Sequence, residues 1–145
     1  MQQKFILLTV LFLIIAGIGV LGYSRATPPP NNQTRNGPKI EISPATFDFG
    51  NIEFGKIVET KFIVKNSGNQ MLQIKRLATS CGCTTAKISK EQIESGETTE
   101  LTVVYDTAAM GSGPHGKGKQ DRIIYVRSND PANAQVETTV TAFVE

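Results

Sequence analysis

Two cysteines, Cys81 and Cys83, are the only thiol residues in the 145-residue chain, and one glycine separates them in Ser80-Cys81-Gly82-Cys83-Thr84. In an extended segment residues i and i+2 project from the same face, so the pair would present two sulfurs side by side. Two thiolates at that spacing suit a soft ion, Cu(I) or Zn(II), completed by one or two ligands from elsewhere; a four-ligand zinc spacing is absent. A disulfide requires Gly82 to bend the chain. Cα atoms two apart in a strand sit near the upper limit of about 6.8 Å for a bridge, and a bond at that limit is strained and easily reduced. Exported cysteines are usually paired, which keeps the bridge in view. The third reading is packing, with two small residues filling a strand-to-loop corner. The residues alone leave all three standing, packing being the simplest.

His115, the only histidine, lies in a glycine-rich loop. Its neutral ring, or the thioether of nearby Met110, could join Cys81 and Cys83 on a metal; a solvated loop residue is the plain alternative for each. A Cys–His hydrolase would need those groups within hydrogen-bond reach and an oxyanion site besides. No pattern in the sequence supplies them, so no catalytic residue is assigned. The same loop, Gly111-Ser112-Gly113-Pro114-His115-Gly116-Lys117-Gly118, contains GxGxxG and most of a P-loop. Both motifs work only where a helix opens directly after the glycines and aims its amides at phosphate. Here Gly118-Lys119-Gln120 leads into a strand, and Gly118 stands where a P-loop needs Ser or Thr. Nucleotide binding is therefore set aside. Lys117, Lys119 and Arg122 form a small basic cluster at the loop exit, read as solvated surface.

These residues sit in a domain carried behind a hydrophobic appendage. After the tip, residues 1–4, the run Phe5–Gly22 is 18 uncharged, mostly apolar residues. That is the lower end of what spans a bilayer as a helix and long for the core of a cleaved signal. It is apolar all round, unlike an amphipathic core helix. The run is read as a single-pass signal anchor; Ser24 and Ala26 leave cleavage after Ala26, and hence secretion, as the other outcome. No cysteine follows it to serve as a lipoprotein anchor. Residues 23–38, with Pro28, Pro29, Pro30 and Pro38 among polar side chains, read as a semi-stiff linker. Lys4 and Arg25 flank the run evenly and do not set its orientation. A domain behind a signal-like start is ordinarily translocated, so an extracytoplasmic location, periplasm or cell surface, is expected. The chain has 15 Lys and Arg against 13 Asp and Glu, and Lys4, Arg25 and Arg35 belong to the appendage. The rest is close to neutral, a poor nucleic-acid binder, and that class is excluded.

The domain, residues 39–145, alternates in period two. Lys39–Ser43 and Ala45–Phe49 do so on either side of Pro44. In Ile57–Asn66, Val58, Thr60, Phe62 and Val64 share one face, with Glu59, Lys61 and Lys65 on the other; Ile63 among the latter implies partial cover there. Met71–Ala78, Thr98–Thr107, Arg122–Arg127 and Gln135–Val144 continue the pattern. Between them lie turn residues at Ser67-Gly68-Asn69, Ser95-Gly96 and Ser128-Asn129-Asp130-Pro131, and the long loop Ala108–Gln120. Seven or eight short strands without a helical period predict an all-β, immunoglobulin-like sandwich of about seven strands behind one N-terminal hydrophobic helix. There is no tryptophan, and the cysteines are too close together to staple two sheets, so the core must hold by apolar burial. Its candidates are Phe47, Phe49, Phe62, Val64, Leu72, Ile74, Leu101, Val103, Tyr105, Ile124, Val126, Val140 and Val144.

Five features occur in order: Phe47-Asp48-Phe49-Gly50 with Gly55, Asn66-Ser67-Gly68 before a strand, the Cys-Gly-Cys strip, Ser95-Gly96-Glu97, and Ser128-Asn129-Asp130-Pro131. In these the chain resembles the bacterial domain-of-unknown-function family 1573, whose members are similar to Hydin-type and major-sperm-protein-like immunoglobulin folds. The resemblance covers nearly everything from Ile40 to Val144, and the cysteine strip makes it specific. It implies a seven-stranded sandwich in an exported or envelope protein and brings no activity. The loop Ala108–Gln120 departs from the shorter connection expected there. The functional expectation is a non-enzymatic binding or structural module. It would engage a protein or envelope component through an edge strand or loops, and the membrane through its N-terminal helix, without cofactor, nucleotide or nucleic acid. The alternative is copper, zinc or thiol–disulfide handling at Cys81 and Cys83.

Overall fold

The computed structural model describes residues 36–145; the hydrophobic run 5–22 and the linker to residue 35 lie outside the described residues. Nine strands follow one another: β1 (Ile40–Ser43), β2 (Thr46–Ile52), β3 (Ile57–Asn66), β4 (Leu72–Thr79), β5 (Thr84–Ile88), β6 (Gln92–Ile93), β7 (Thr98–Asp106), β8 (Gly118–Ser128) and β9 (Gln135–Val144). They form two sheets, ordered β1-β3-β7-β5 and β2-β9-β8-β4-β6, with no helix among the described residues. Neighbours are antiparallel except β2 and β9, which run parallel with Phe47 opposite Val140. The expected immunoglobulin-like sandwich forms, with nine strands where seven or eight were predicted. The additions are β5 and β6, of five and two residues; β6 is too short to show a period, and β5 begins directly as the turn after β4 ends.

Alternation becomes burial. Along β3, Thr60, Phe62, Val64 and Asn66 are buried while Glu59, Lys61, Ile63 and Lys65 are exposed. Ile63 is 43% exposed, so the cover expected on that face is absent; its cross-strand neighbours are Ser43 and Glu100. The main core gathers Phe62, Val64, Leu72, Ile74, Leu101, Val103, Ile124, Val126 and Val140, with Ile40 and Ile93 in addition. Full burial of one such side chain is worth about 1.5–3 kcal/mol. Tyr105 and Val144 sit in a second cluster with Cys83 and Ala142. Phe47 and Phe49, on the edge strand β2, are only partly buried and pack edge to face with ring centroids 5.0 Å apart.

Every connection except the β8–β9 hairpin carries the chain from one sheet to the other. Each corner takes backbone groups out of the ladders, and those groups need other partners. Buried polar side chains supply them. Asn66 is fully buried; its Nδ2 donates to the carbonyls of Gln70 and Ile93, and its Oδ1 accepts from the amides of Lys39 and Gly68. Thr107 Oγ1 donates to the Lys56 carbonyl, and Thr138 Oγ1 to that of Ala45, just after the cis Ser43–Pro44 bond. The domain's contacts begin before Lys39. Gly37 N–H donates to Asn69 Oδ1, Asn69 N–H donates back to the Gly37 carbonyl, and a Cβ on Gly68 would run into that carbonyl.

Asp130, 2% exposed, ties the β8–β9 turn to β1: Oδ1 accepts from the amides of Ala132 and Asn133, and Oδ2 from that of Ile40 at 3.0 Å. Burial opposes its ionisation, but the hydrogen bonds from Ile40, Asn133 and Ala132 together outweigh it, so the carboxyl titrates below the ordinary aspartate range. A depressed folded pKa contributes stability above the unfolded value of about 3.9, lost as pH falls through the lower folded value. An asparagine here can offer its single oxygen to one side only and turns its NH₂ toward an N–H donor on the other. Asp130→Asn is expected to lose about 1–3 kcal/mol at pH 7 in urea unfolding. Below about pH 4 the wild type should lose stability with the steeper slope, and parallel slopes would refute this account.

Candidate functional site

β4 leaves its sheet at Thr79 and β5 enters the other at Thr84, so residues 80–83 turn a corner. The cysteine strip is thus a turn, which overturns the extended geometry and its side-by-side thiolates. Cys81 and Cys83 are joined by a disulfide with Cα atoms 5.2 Å apart, inside the ordinary 4.4–6.8 Å span rather than at its limit. With the sulfurs bonded to each other, the thiolate pair that Cu(I) or Zn(II) would require does not exist in this form. Among the described residues no three His, Cys, Asp or Glu side chains converge as ligands, so His115 does not complete a site with the cysteines. His115 and Met110 lie exposed on the loop after β7. The packing reading also holds. Cys83, 3% exposed, is buried with Tyr105, Ala142 and Val144, and half-buried Cys81 packs against that cluster.

Hydrogen bonds independent of the sulfurs shape this corner. Ser80 N–H donates to the Ile123 carbonyl (2.9 Å), and Ile123 N–H to Ser80 Oγ (3.0 Å). Asp106 N–H donates to the Cys83 carbonyl, and Thr79 Oγ1 to the carbonyls of both Cys81 and Thr84, each at 2.9 Å. Thr84 Oγ1 lies 3.5 Å from Cys81 Sγ and 3.7 Å from Cys83 Sγ. Gly82 is exposed at the tip, with nothing within 4 Å of where a Cβ would stand. A bridge across so short a loop removes only about 1.5 kcal/mol of unfolded-chain entropy. As a staple it does little.

The neighbouring end of the sandwich is polar. Arg122 faces inward with its guanidinium 5.4 Å from the centroid of the Tyr105 ring. Nη2 donates to the His115 carbonyl at 2.9 Å and to Gln120 Oε1, and Nη1 to the Asp121 carbonyl at 3.0 Å. The buried side-chain polar atoms without a partner, among the described residues, are Tyr105 Oη and Arg122 Nε. The basic cluster read as solvated surface is therefore divided: Arg122 is half-buried against Tyr105, Lys117 lies 5.4 Å over the Phe54 ring, and Lys119 stays exposed. The signal that Arg122 turns inward is its even spacing from Ile124 and Val126. Of the loop glycines, Gly116 has a packing role. Gly116 is buried where a Cβ would run into the Gly111 carbonyl, and the chain passes from Lys117 straight into β8 at Gly118.

A family model described as "Protein of unknown function (DUF1573)" matches residues 40–144. The chain belongs to the DUF1573 family. No curated protein matches it. Among solved structures, a protein of unknown function from Porphyromonas gingivalis W83 is similar over 81% of this chain and 51% of its own, at 21% identity and TM-score 0.66. PapD-like domain 7 of human CEP192 is similar over 86% of this chain and 96% of its own, at 13% identity and TM-score 0.52. The secreted serine protease VesC from Vibrio cholerae is similar over 78% of this chain and 24% of its own, at 12% identity and TM-score 0.52. The DUF1573 chain thus spans about half of the first structure and a quarter of VesC, and identities this low establish the fold alone.

If hydrogen bonds rather than the bridge shape the corner, Cys81→Ala with Cys83→Ala should still fold. The expected loss is about 1–3 kcal/mol, from loop entropy and the buried sulfur contacts. Urea unfolding monitored by circular dichroism tests this, and a double variant that fails to fold would contradict it.

Proposed function

We propose that this DUF1573 chain is an immunoglobulin-like binding module held outside the cytoplasmic membrane by residues 5–22 and the proline-rich linker. Its partner is a protein or envelope component that adds an extended segment to an open sheet edge. The observation that carries this reading is β5. Asp106 N–H bonds the Cys83 carbonyl and Ser89 N–H bonds that of Glu100, and residues 84–88 pair with 105–101 between those points. The alternation of an antiparallel ladder then turns the N–H and C=O of Ala86 and Ile88 away from β7, and no strand lies beyond β5 in its sheet. Such an edge is a template for strand addition, with main-chain bonds giving affinity. Lys87 on the same strand guards it against indiscriminate pairing. The disulfide supports the location, since bridges persist mainly in oxidising compartments.

Two experiments test the reading. A photo-crosslinking residue at position 87 of the full chain, in the native host, should give a discrete adduct. Ala86→Pro removes one edge-facing N–H without touching the β7 ladder and should abolish that adduct; an adduct that persists refutes edge binding. Protease treatment of cells whose outer envelope has been opened should digest the domain, followed with an antibody to the C-terminus. Full protection would contradict the location.

A further inference from the structure

We infer that the Cys81–Cys83 bridge is an exchangeable couple that oxidises paired thiols of polypeptides, and that exchange begins at Cys81. This goes beyond the binding reading and does not depend on it. Three observations lead there. The bridge sits in a turn whose flanking Ser80 and intervening Gly82 are exposed, so an incoming thiol can reach it. The two sulfurs are unequal: Cys83 is 3% exposed, whereas Cys81 only packs against the edge of that cluster. The backbone of the turn is fixed by Ser80, Thr79 and Asp106, so the corner keeps its shape when the bond opens.

The chemistry balances within one round. A thiolate attacks Cys81 Sγ in line with the bridge and forms a mixed disulfide with it. The Cys81–Cys83 bond breaks, and its electron pair leaves on Cys83 Sγ. Thr84 Oγ1, 3.7 Å away, donates its hydrogen bond to that thiolate. The Arg122 guanidinium, over the Tyr105 ring that packs with Cys83, puts a positive charge at the same end, which favours thiolate. A second thiolate of the same substrate attacks the substrate sulfur of the mixed disulfide, and its electron pair leaves on Cys81. The substrate loses two electrons and two protons as its disulfide forms, and Cys81 and Cys83 gain them as thiols. One dithiol is oxidised per bridge, with no further oxidant in the step.

The test uses the full chain, purified in detergent with its bridge intact. Reduced glutathione is added, the reaction is quenched in acid, and the adduct is mapped by peptide mass spectrometry. The expected result is glutathione on Cys81 in at least roughly tenfold excess over Cys83, with native circular dichroism throughout. Reduced, unfolded ribonuclease as the dithiol probe should then lose one pair of thiols per bridge. Thr84→Val should slow exchange several-fold, and Thr84→Ser should restore it. An adduct mainly on Cys83, an even split, no oxidation of the dithiol probe, or a bridge that opens only in urea would each overturn the proposal. These readouts need no partner, so they stand or fall separately from edge binding.

Discussion

Consecutive strands of this domain almost never lie side by side. Only β8 and β9 are neighbours in both sequence and sheet; every other connection crosses the sandwich. That constraint governs the rest. A chain that changes sheets at each step leaves its ladder hydrogen bonds at each corner, and buried backbone groups without partners cost more than most single contacts contribute. The buried polar residues are the answer to it. Asn66 closes the β3–β4 corner, Thr138 ties down the β1–β2 corner, Thr107 takes the start of the β7–β8 connection, and Asp130 ties the β8–β9 turn to the first strand. The apolar layer supplies the driving force, and these few side chains decide that it forms in one arrangement.

This division explains what the sequence discloses. Period-two alternation survives wherever one face is buried and the other wet, so β3, β4, β7 and β9 and most of the core are visible from residue types alone. The corner residues are not. Asn66 and Asp130 have the composition of turns, and their burial depends on partners 27 and 90 positions away; Thr138 falls on the apolar face of β9 by period, but its bond to Ala45, 93 positions away, leaves no sign in the sequence. The cysteine strip is ambiguous in the sequence for a related reason. Treated as a continuation of β4 it places two sulfurs on one face; in fact the chain changes sheets there, and a sheet change leaves no periodic trace in so few residues. β5 was hidden because it begins as that turn ends. The hydrophobic run 5–22 lies outside the described residues and stands as a reading of composition.

The glycine loop shows the converse, a motif whose letters are right and whose mechanics are different. GxGxxG approaches phosphate because backbone can come close where no Cβ intervenes. Gly116 uses the same property against the Gly111 carbonyl, with the loop folded back on itself. The consequence reaches the sandwich end, since the loop then holds the His115 carbonyl against Arg122 and sets Lys117 over Phe54. Arg122 is thereby held inward, over Tyr105.

The two functional proposals meet at one corner. The bridge closes the turn that delivers the chain into β5, and the edge-facing groups of Ala86 and Ile88 follow within the next few residues. An extended segment paired along β5 and running past Thr84 would pass beside the half-buried Cys81. A thiol carried on such a segment would reach the bridge as an intramolecular neighbour, at the high effective concentration that tethering confers. A segment without cysteines would be bound and left unchanged. Strand addition depends on the backbone of β5, while exchange depends on the reach of a thiol to Cys81. If both proposals hold, the same edge would bind many sequences and oxidise only some. That selectivity would require no catalytic pocket, only the placement of a bridge of low stapling value where the chain enters an edge strand.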